Sequence, residues 1–235
     1  MKVYVNSITG FPEAMESMYM SKRTWTPELM KEIHDICHAV ESHNASEEQT
    51  AKFNEMLGKV LKIGRRHITL LRFIDIAMTV EGQHYAGVAD IDSHSMRFNN
   101  RIIRSSTRLA DFEQDELSNY YRDKVMSTEA MAEVLGVVFP DEITVENDKW
   151  LKSPGGYIKA GYEADRDVKR GLYPLGIPSN FVAKINLTEW AHVFRMRNMD
   201  GGANPEVKEW AESVMEQITK KYPQITRDYV LSIEN

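Results

Sequence analysis

The sequence holds one cysteine, Cys37, among 235 residues. A lone thiol cannot close an intrachain disulfide, so a disulfide-stapled fold is excluded and a reducing, cytoplasmic setting is expected. Long apolar runs are missing as well. The longest, Val134 to Phe139 with Gly136 admitted, falls far short of the ~20 residues that cross a bilayer. Only 13 glycines and 8 prolines are present, which excludes collagen, mucin and long disordered tails. Positive charge is not in excess: 29 Lys and Arg face 35 Asp and Glu, a net charge of -6. A general nucleic-acid coat is thereby excluded, and any anion-binding role has to come from a local cluster. No phosphate loop, GxGxxG or GxSxG motif occurs. Neither a membrane nor a nucleic acid is expected as a partner. Met1 to Val5 reads as a first strand, not as the apolar stretch of a signal peptide.

What is present is an ordinary globular composition, 42% hydrophobic and 27% charged, long enough to bury a sizeable core. Helix signals are clear at three places. Thr26-Pro27-Glu28 supplies an N-cap, a first-turn proline and a first-turn acid, with Leu29, Ile33, Ile36, Cys37 and Val40 following at helical spacing. Ser46-Glu47-Glu48-Gln49 has the form of a capping box before Phe53, Met56, Leu57, Val60 and Leu61. Asn204-Pro205-Glu206 opens a helix whose Val207, Trp210, Ala211, Val214, Met215 and Ile218 share one face. Phe73 to Val80 alternates as a strand, and Asn180 to Ile185 reads as a second, leading into a helix. The order of strands and helices predicts an α/β (α+β) fold: one domain over 1–235, with a central sheet flanked by long helices. Pro140 to Tyr162 is the least regular stretch, with a loop at Ser153-Pro154-Gly155-Gly156.

The arginines carry the chemistry. Arg97, Arg101, Arg104 and Arg108 recur at steps of four, three and four, and no acid lies between Ser93 and Ala110. On a helix they would form one stripe. Guanidinium groups suit bidentate phosphate recognition, and Ser105, Ser106 and Thr107 add hydroxyls. The stripe reads either as a site for a phosphate-bearing small molecule or as a solvated face paired with Asp90, Asp92, Asp111 or Glu113. Arg65, Arg66, His67, Lys169, Arg170, Arg195 and Arg197 are further cations that could converge on an anion. Arg197 stands among Met196, Phe194 and Trp190, where a buried charge requires a partner. No metal site is expected. His34 and His38 flank Cys37 on a helix without a matching third ligand, and Asp90, Asp92 and His94 have strand spacing in a predicted helix. Cys37 falls in an apolar stripe, which argues against a nucleophile.

A family resemblance enters in the C-terminal third. Arg170-Gly-Leu-Tyr-Pro174-Leu175, Ser179-Asn-Phe181, Ile185-Asn186-Leu-Thr-Glu-Trp190, Phe194-Arg-Met-Arg197 and Ala203-Asn-Pro-Glu206 occur in that order. The set resembles the flavin-dependent thymidylate synthases, which have an Arg-x-x-Leu-Pro segment, a strand ending in Asn, a helix ending in Leu-Arg and an Ala-Gln-x-Glu helix start. Upstream, His67-Ile-Thr69 and the strand after it resemble the family's Gly-His-x-Ser segment. The family's Arg-His-Arg signature is not reproduced. Without gaps it falls on Asp92-Ser93-His94 and its last Arg on Arg104. With about one helical turn inserted, its Ser-x-Arg falls on Ser106-Thr107-Arg108, the preferred register because two residues are restored together.

The resemblance implies C5 methylation of a pyrimidine nucleotide, dUMP to dTMP. Methylenetetrahydrofolate would donate the carbon, reduced FAD the hydride, and NADPH would act as co-substrate. It implies nucleotide-binding roles for Arg104, Ser106, Arg108, Arg170 and Arg197, with Arg197 also catalytic by stabilising charge on the ring. It implies cofactor-binding roles for His67, Asn186 and His192, and assembly as a homotetramer with the arginine stripe beside a subunit interface. Loss of Arg-His-Arg sets a second reading beside the first: a nucleotide-binding relative without flavin or catalysis. A relative that modifies another pyrimidine nucleotide is a third.

Overall fold

A strand, β1 (Lys2–Thr9), opens the chain and stops at Gly10, whose φ of 89° admits glycine far more readily than any L side chain. Helices α1 (Phe11–Ser21), α2 (Pro27–Glu41) and α3 (Glu47–Gly64) follow, then a 3₁₀ segment over Ile68–Phe73 and β2 (Asp75–Glu81). Next come α4 (Tyr85–His94), β3 (Arg101–Arg104), α5 (Thr128–Leu135) and three short strands, β4 (Glu142–Val145), β5 (Asp148–Ser153) and β6 (Gly156–Lys159). The chain closes with β7 (Phe181–Asn186), α6 (Leu187–Asn198), α7 (Pro205–Lys221), a turn of helix α8 (Pro223–Ile225) and a π turn over Thr226–Val230. This computed structural model describes residues 1–94, 101–104, 128–153, 156–161, 177–198 and 204–232. The fold is mixed α/β, as the sequence predicts, with one four-stranded sheet in the order β1-β2-β7-β3 and one three-stranded sheet in the order β4-β5-β6.

The chain forms two compact units. The larger comprises Val3–Thr79, Ser93–Ile102 and Ala183–Asn235. Its helices start where the sequence places them. Thr26 caps α2 by accepting from Leu29 N at 3.2 Å, and Ser46 with Gln49 forms a reciprocal capping box on α3. Asn204 caps α7 by accepting from Glu206 N at 3.0 Å. Ile74, Ile76 and Met78 are fully buried on one side of the strand, the alternation expected of it. Phe73 is half-exposed and ends the 3₁₀ segment instead of starting the strand. Phe11 packs edge-on against Phe53 at 5.2 Å and beside Tyr222 at 5.0 Å. Trp190 of α6 meets Trp210 of α7 edge-on at 5.3 Å, both fully buried. Such pairs add about 0.5–1.5 kcal/mol to their area burial. At the outer edge of the sheet, the Gln217 amide of α7 lies along β1, accepting from Val5 N at 2.9 Å and donating to Val3 O at 3.0 Å.

The smaller unit comprises Met1–Lys2, Val80–Asp92 and Ile103–Val182. It corrects two expectations. The stretch from Pro140 is regular: β4, β5 and β6 form an antiparallel meander, with Ile143 opposite Trp150 and Trp150 opposite Lys159. Glu146 and Asn147 have φ of 51° and 70°, the two left-handed residues of a tight hairpin. Lys159 pairs with Asp148 at 2.5 Å, and Lys149 pairs with Glu142. The second correction concerns the arginine stripe. Arg101–Arg104 is a strand, not part of a helix. A strand does not place positions three apart on one side, so no helical stripe runs through Arg101 and Arg104. The β-branched pair Ile102-Ile103 between them favours the extended backbone. Arg97 and Arg108 lie outside the described residues. The longest apolar run proves not to be core, since Val134 and Val138 are 71% and 82% exposed.

Candidate active site

In the larger unit, Arg197 occupies the last turn of α6 and is 8% exposed. Trp190, Val193 and Phe194 of the same helix are buried as well, so Arg197 is buried as its neighbours in sequence predict. A cation near a helix C-terminus is favoured by the helix dipole. Asn186 is buried at the junction of β7 and α6. Its Oδ1 accepts from Glu189 N at 3.0 Å, which makes it the cap of α6. His67 is exposed at the start of the 3₁₀ segment, and His192 is exposed on α6. Arg65 is exposed and donates to Asp228 O at 3.1 Å, and Arg195 donates back to Ala191 O at 3.2 Å, so both have structural work. Glu189 and Glu206 are buried acids on α6 and α7.

In the smaller unit, Arg104 ends β3 with its guanidinium 4.7 Å over the Tyr85 ring. Its Nη1 is buried and makes no hydrogen bond among the described residues. Tyr85 begins α4. The residues before it, Gln83 and His84, are buried, as is Ser179 on the segment alongside. Burial pushes the His84 imidazole below its ordinary pKa, with Asp90 opposing, so the ring is neutral at pH 7. Sequence reading missed this polar group; its only signal was a Gln-His pair placed between a strand-ending Gly82 and a helix. Ser106, Arg108 and Arg170 lie outside the described residues.

Cys37 is fully buried against Met15, its Sγ 3.7 Å from Sδ, and burial pushes the thiol up to about 12. His34 pairs with Glu16 at 2.9 Å. No group of three metal-ligating side chains occurs among the described residues. No described helix is long and apolar enough to cross a membrane.

The protein is of the mixed α/β class, with one buried arginine at a helix end in the larger unit and another stacked on a ring at a strand end in the smaller. The comparisons define the class further. The chain belongs to the Thy1 family, described as thymidylate synthase complementing protein, whose family model matches residues 12–224. Two solved structures are similar in fold. One is the flavin dependent thymidylate synthase ThyX from Helicobacter pylori complexed with FAD and dUMP: TM-score 0.57, 11% identity, covering 97% of this chain and 99% of that one. The other is Thymidylate Synthase X from the same organism with FAD and dUMP: TM-score 0.58, 12% identity, covering 99% and 100%. None of the curated proteins matches this chain.

Proposed function

We propose that the protein is a flavin-dependent thymidylate synthase that methylates a pyrimidine nucleotide at C5, converting dUMP to dTMP. The family match over residues 12–224 carries this reading. Arg197 has the burial and helix-end position of a group that holds an anion and stabilises negative charge as C5 becomes nucleophilic. Arg104, stacked on Tyr85 with Nη1 making no hydrogen bond among the described residues, is a second nucleotide ligand in this reading. Ser106, Arg108 and Arg170 complete the set by resemblance. FAD, when bound, supplies the hydride. The exposed imidazoles of His67 and His192 fit such a group as donors to its phosphates, while Asn186 acts through the start of α6 that it caps. Methylenetetrahydrofolate and NADPH are the co-substrates of this reading. A single functional domain over 1–235, a homotetramer and a cytoplasmic location go with it.

The absence of Arg-His-Arg, with Asp92-Ser93-His94 in its place, favours a second reading: a family member that binds a nucleotide without flavin or catalysis. Two measurements separate them. The enzyme reading expects a yellow protein that forms dTMP from dUMP, methylenetetrahydrofolate and NADPH. The second expects a colourless protein, indifferent to FAD, that dUMP stabilises against heat. Both expect Arg197→Ala to weaken pyrimidine monophosphate binding by about 2–5 kcal/mol in calorimetry. Unchanged affinity would remove Arg197 from the site.

A further inference from the structure

Gly82, with φ of 76°, breaks β2 and turns the chain through Gln83 and His84 into α4. This turn is stitched to residues 177–180. Gly82 N donates to Asn180 Oδ1 at 2.8 Å, Ser179 N donates to Gln83 O at 2.6 Å, and Tyr85 N donates to Ile177 O at 2.9 Å. His84 and Pro178 form an antiparallel bridge. The two backbones are thus fixed, and the side chains of Gln83 and Ser179 are 0% and 1% exposed. Yet Gln83 Oε1, Gln83 Nε2 and Ser179 Oγ make no hydrogen bond among the described residues. Each buried polar atom left without a partner costs about 1–3 kcal/mol, and folded proteins tolerate few. Here three belong to two residues joined by a backbone hydrogen bond.

Their chemistry defines the missing partner. A carboxamide presents a donor beside an acceptor. A phosphate or carboxylate would answer Nε2 and the hydroxyl but would oppose the lone pairs of Oε1. A planar base with a ring nitrogen beside an exocyclic group answers both atoms, as glutamine does at base edges elsewhere. The buried Arg104 Nη1 is a further donor without a described partner, on a guanidinium that lies over Tyr85, the residue two after Gln83. We propose that Gln83, assisted by Ser179, reads the ring-nitrogen edge of the pyrimidine, and so sets which base the protein accepts. This rests on the nucleotide reading above.

The test is calorimetry of the full chain with dUMP, dCMP and N3-methyl-dUMP. The wild type should bind dUMP or dCMP, and N3-methyl-dUMP at least about tenfold more weakly than dUMP if dUMP is the ligand. Gln83→Met, close in shape but without the amide, should lose about tenfold for the preferred base. It should also no longer separate dUMP from its N3-methyl form, the coupling a merely structural residue would not show. Ser179→Ala should lose affinity several-fold, and carries the test if Gln83→Met does not fold. Gln83→Met with wild-type affinity and discrimination would overturn the proposal and leave the nucleotide reading standing. That is also the outcome for a buried water on the amide. A wild type that binds no pyrimidine monophosphate would overturn the nucleotide reading, and this proposal with it.

Discussion

Replacing Gly10 by alanine tests how β1 is joined to α1. At φ of 89° an alanine occupies a left-handed backbone, which costs about 1–2 kcal/mol for an L residue. Reduced freedom of the unfolded chain returns about 0.4–1 kcal/mol. Sterics then dominate. A Cβ built on Gly10 would lie 1.8 Å from the Phe73 carbonyl oxygen, inside any real contact, and the obstacle is backbone. Relief requires the 3₁₀ segment and the turn to part, at the cost of about 1–3 kcal/mol typical of overpacking. The sum is a loss of about 1–5 kcal/mol, or a fall in Tm of roughly 2–20 °C for a chain of this length. The same chemical change at Gly58, mid-helix in α3 with nothing within 4 Å, should raise stability by about 0.8–1 kcal/mol. Urea titration of both variants by circular dichroism measures the pair. Equal effects at the two sites, or a Gly10→Ala loss below about 1 kcal/mol, would refute the argument that the Phe73 carbonyl fixes this position.

Three further outcomes are expected. Gln217→Ala removes two hydrogen bonds from β1 and should cost about 1–3 kcal/mol, with faster hydrogen exchange at the Val5 amide than at amides inside α3. Native Cys37, buried with its thiol held at about 12, should resist a thiol reagent at pH 8 and react at once in denaturant; equal rates would contradict its burial. His84 keeps its neutral form in the folded chain, so the unfolded chain takes up that proton first as pH falls. Its contribution to stability is whole above the ordinary histidine value of about 6.5 and is lost as pH drops toward the lower folded value. His84→Asn should flatten that part of the stability profile, and an NMR titration showing His84 protonated at pH 7 would contradict the sign.

Elements with a cap and an apolar period were legible before any coordinates. Thr26, Ser46 and Asn204 each mark a helix start because capping is a local bargain between a side chain and the next turn. The buried row Ile74, Ile76, Met78 and Val80 was legible because period two is geometry. Helix α1 escaped notice, since Gly10-Phe11-Pro12 reads as a turn until Pro12 is taken as a helix start. Strand β3 was misread because the arginine period was weighed above the Ile102-Ile103 pair inside it. The β4–β6 meander has short strands that are half-wet on both sides, which leaves little alternation to read. At the site, the capping role of Asn186 went unread although Asn-Leu-Thr-Glu carries it, but the burial of Arg197 was legible in its neighbours. Gln83 and Ser179 were not, because a polar residue becomes informative only when distant segments enclose it.

The amide of Gln217 has a consequence for self-association. An outermost strand offers unused N–H and C=O groups, a template on which a strand from another molecule can grow. Here a side chain from α7 imitates that incoming strand, supplying an acceptor to Val5 and a donor to Val3. Growth of the sheet past β1 therefore ends within the protomer. Another copy's strand could pair with the Val3–Val5 stretch of this edge only by first displacing the Gln217 amide.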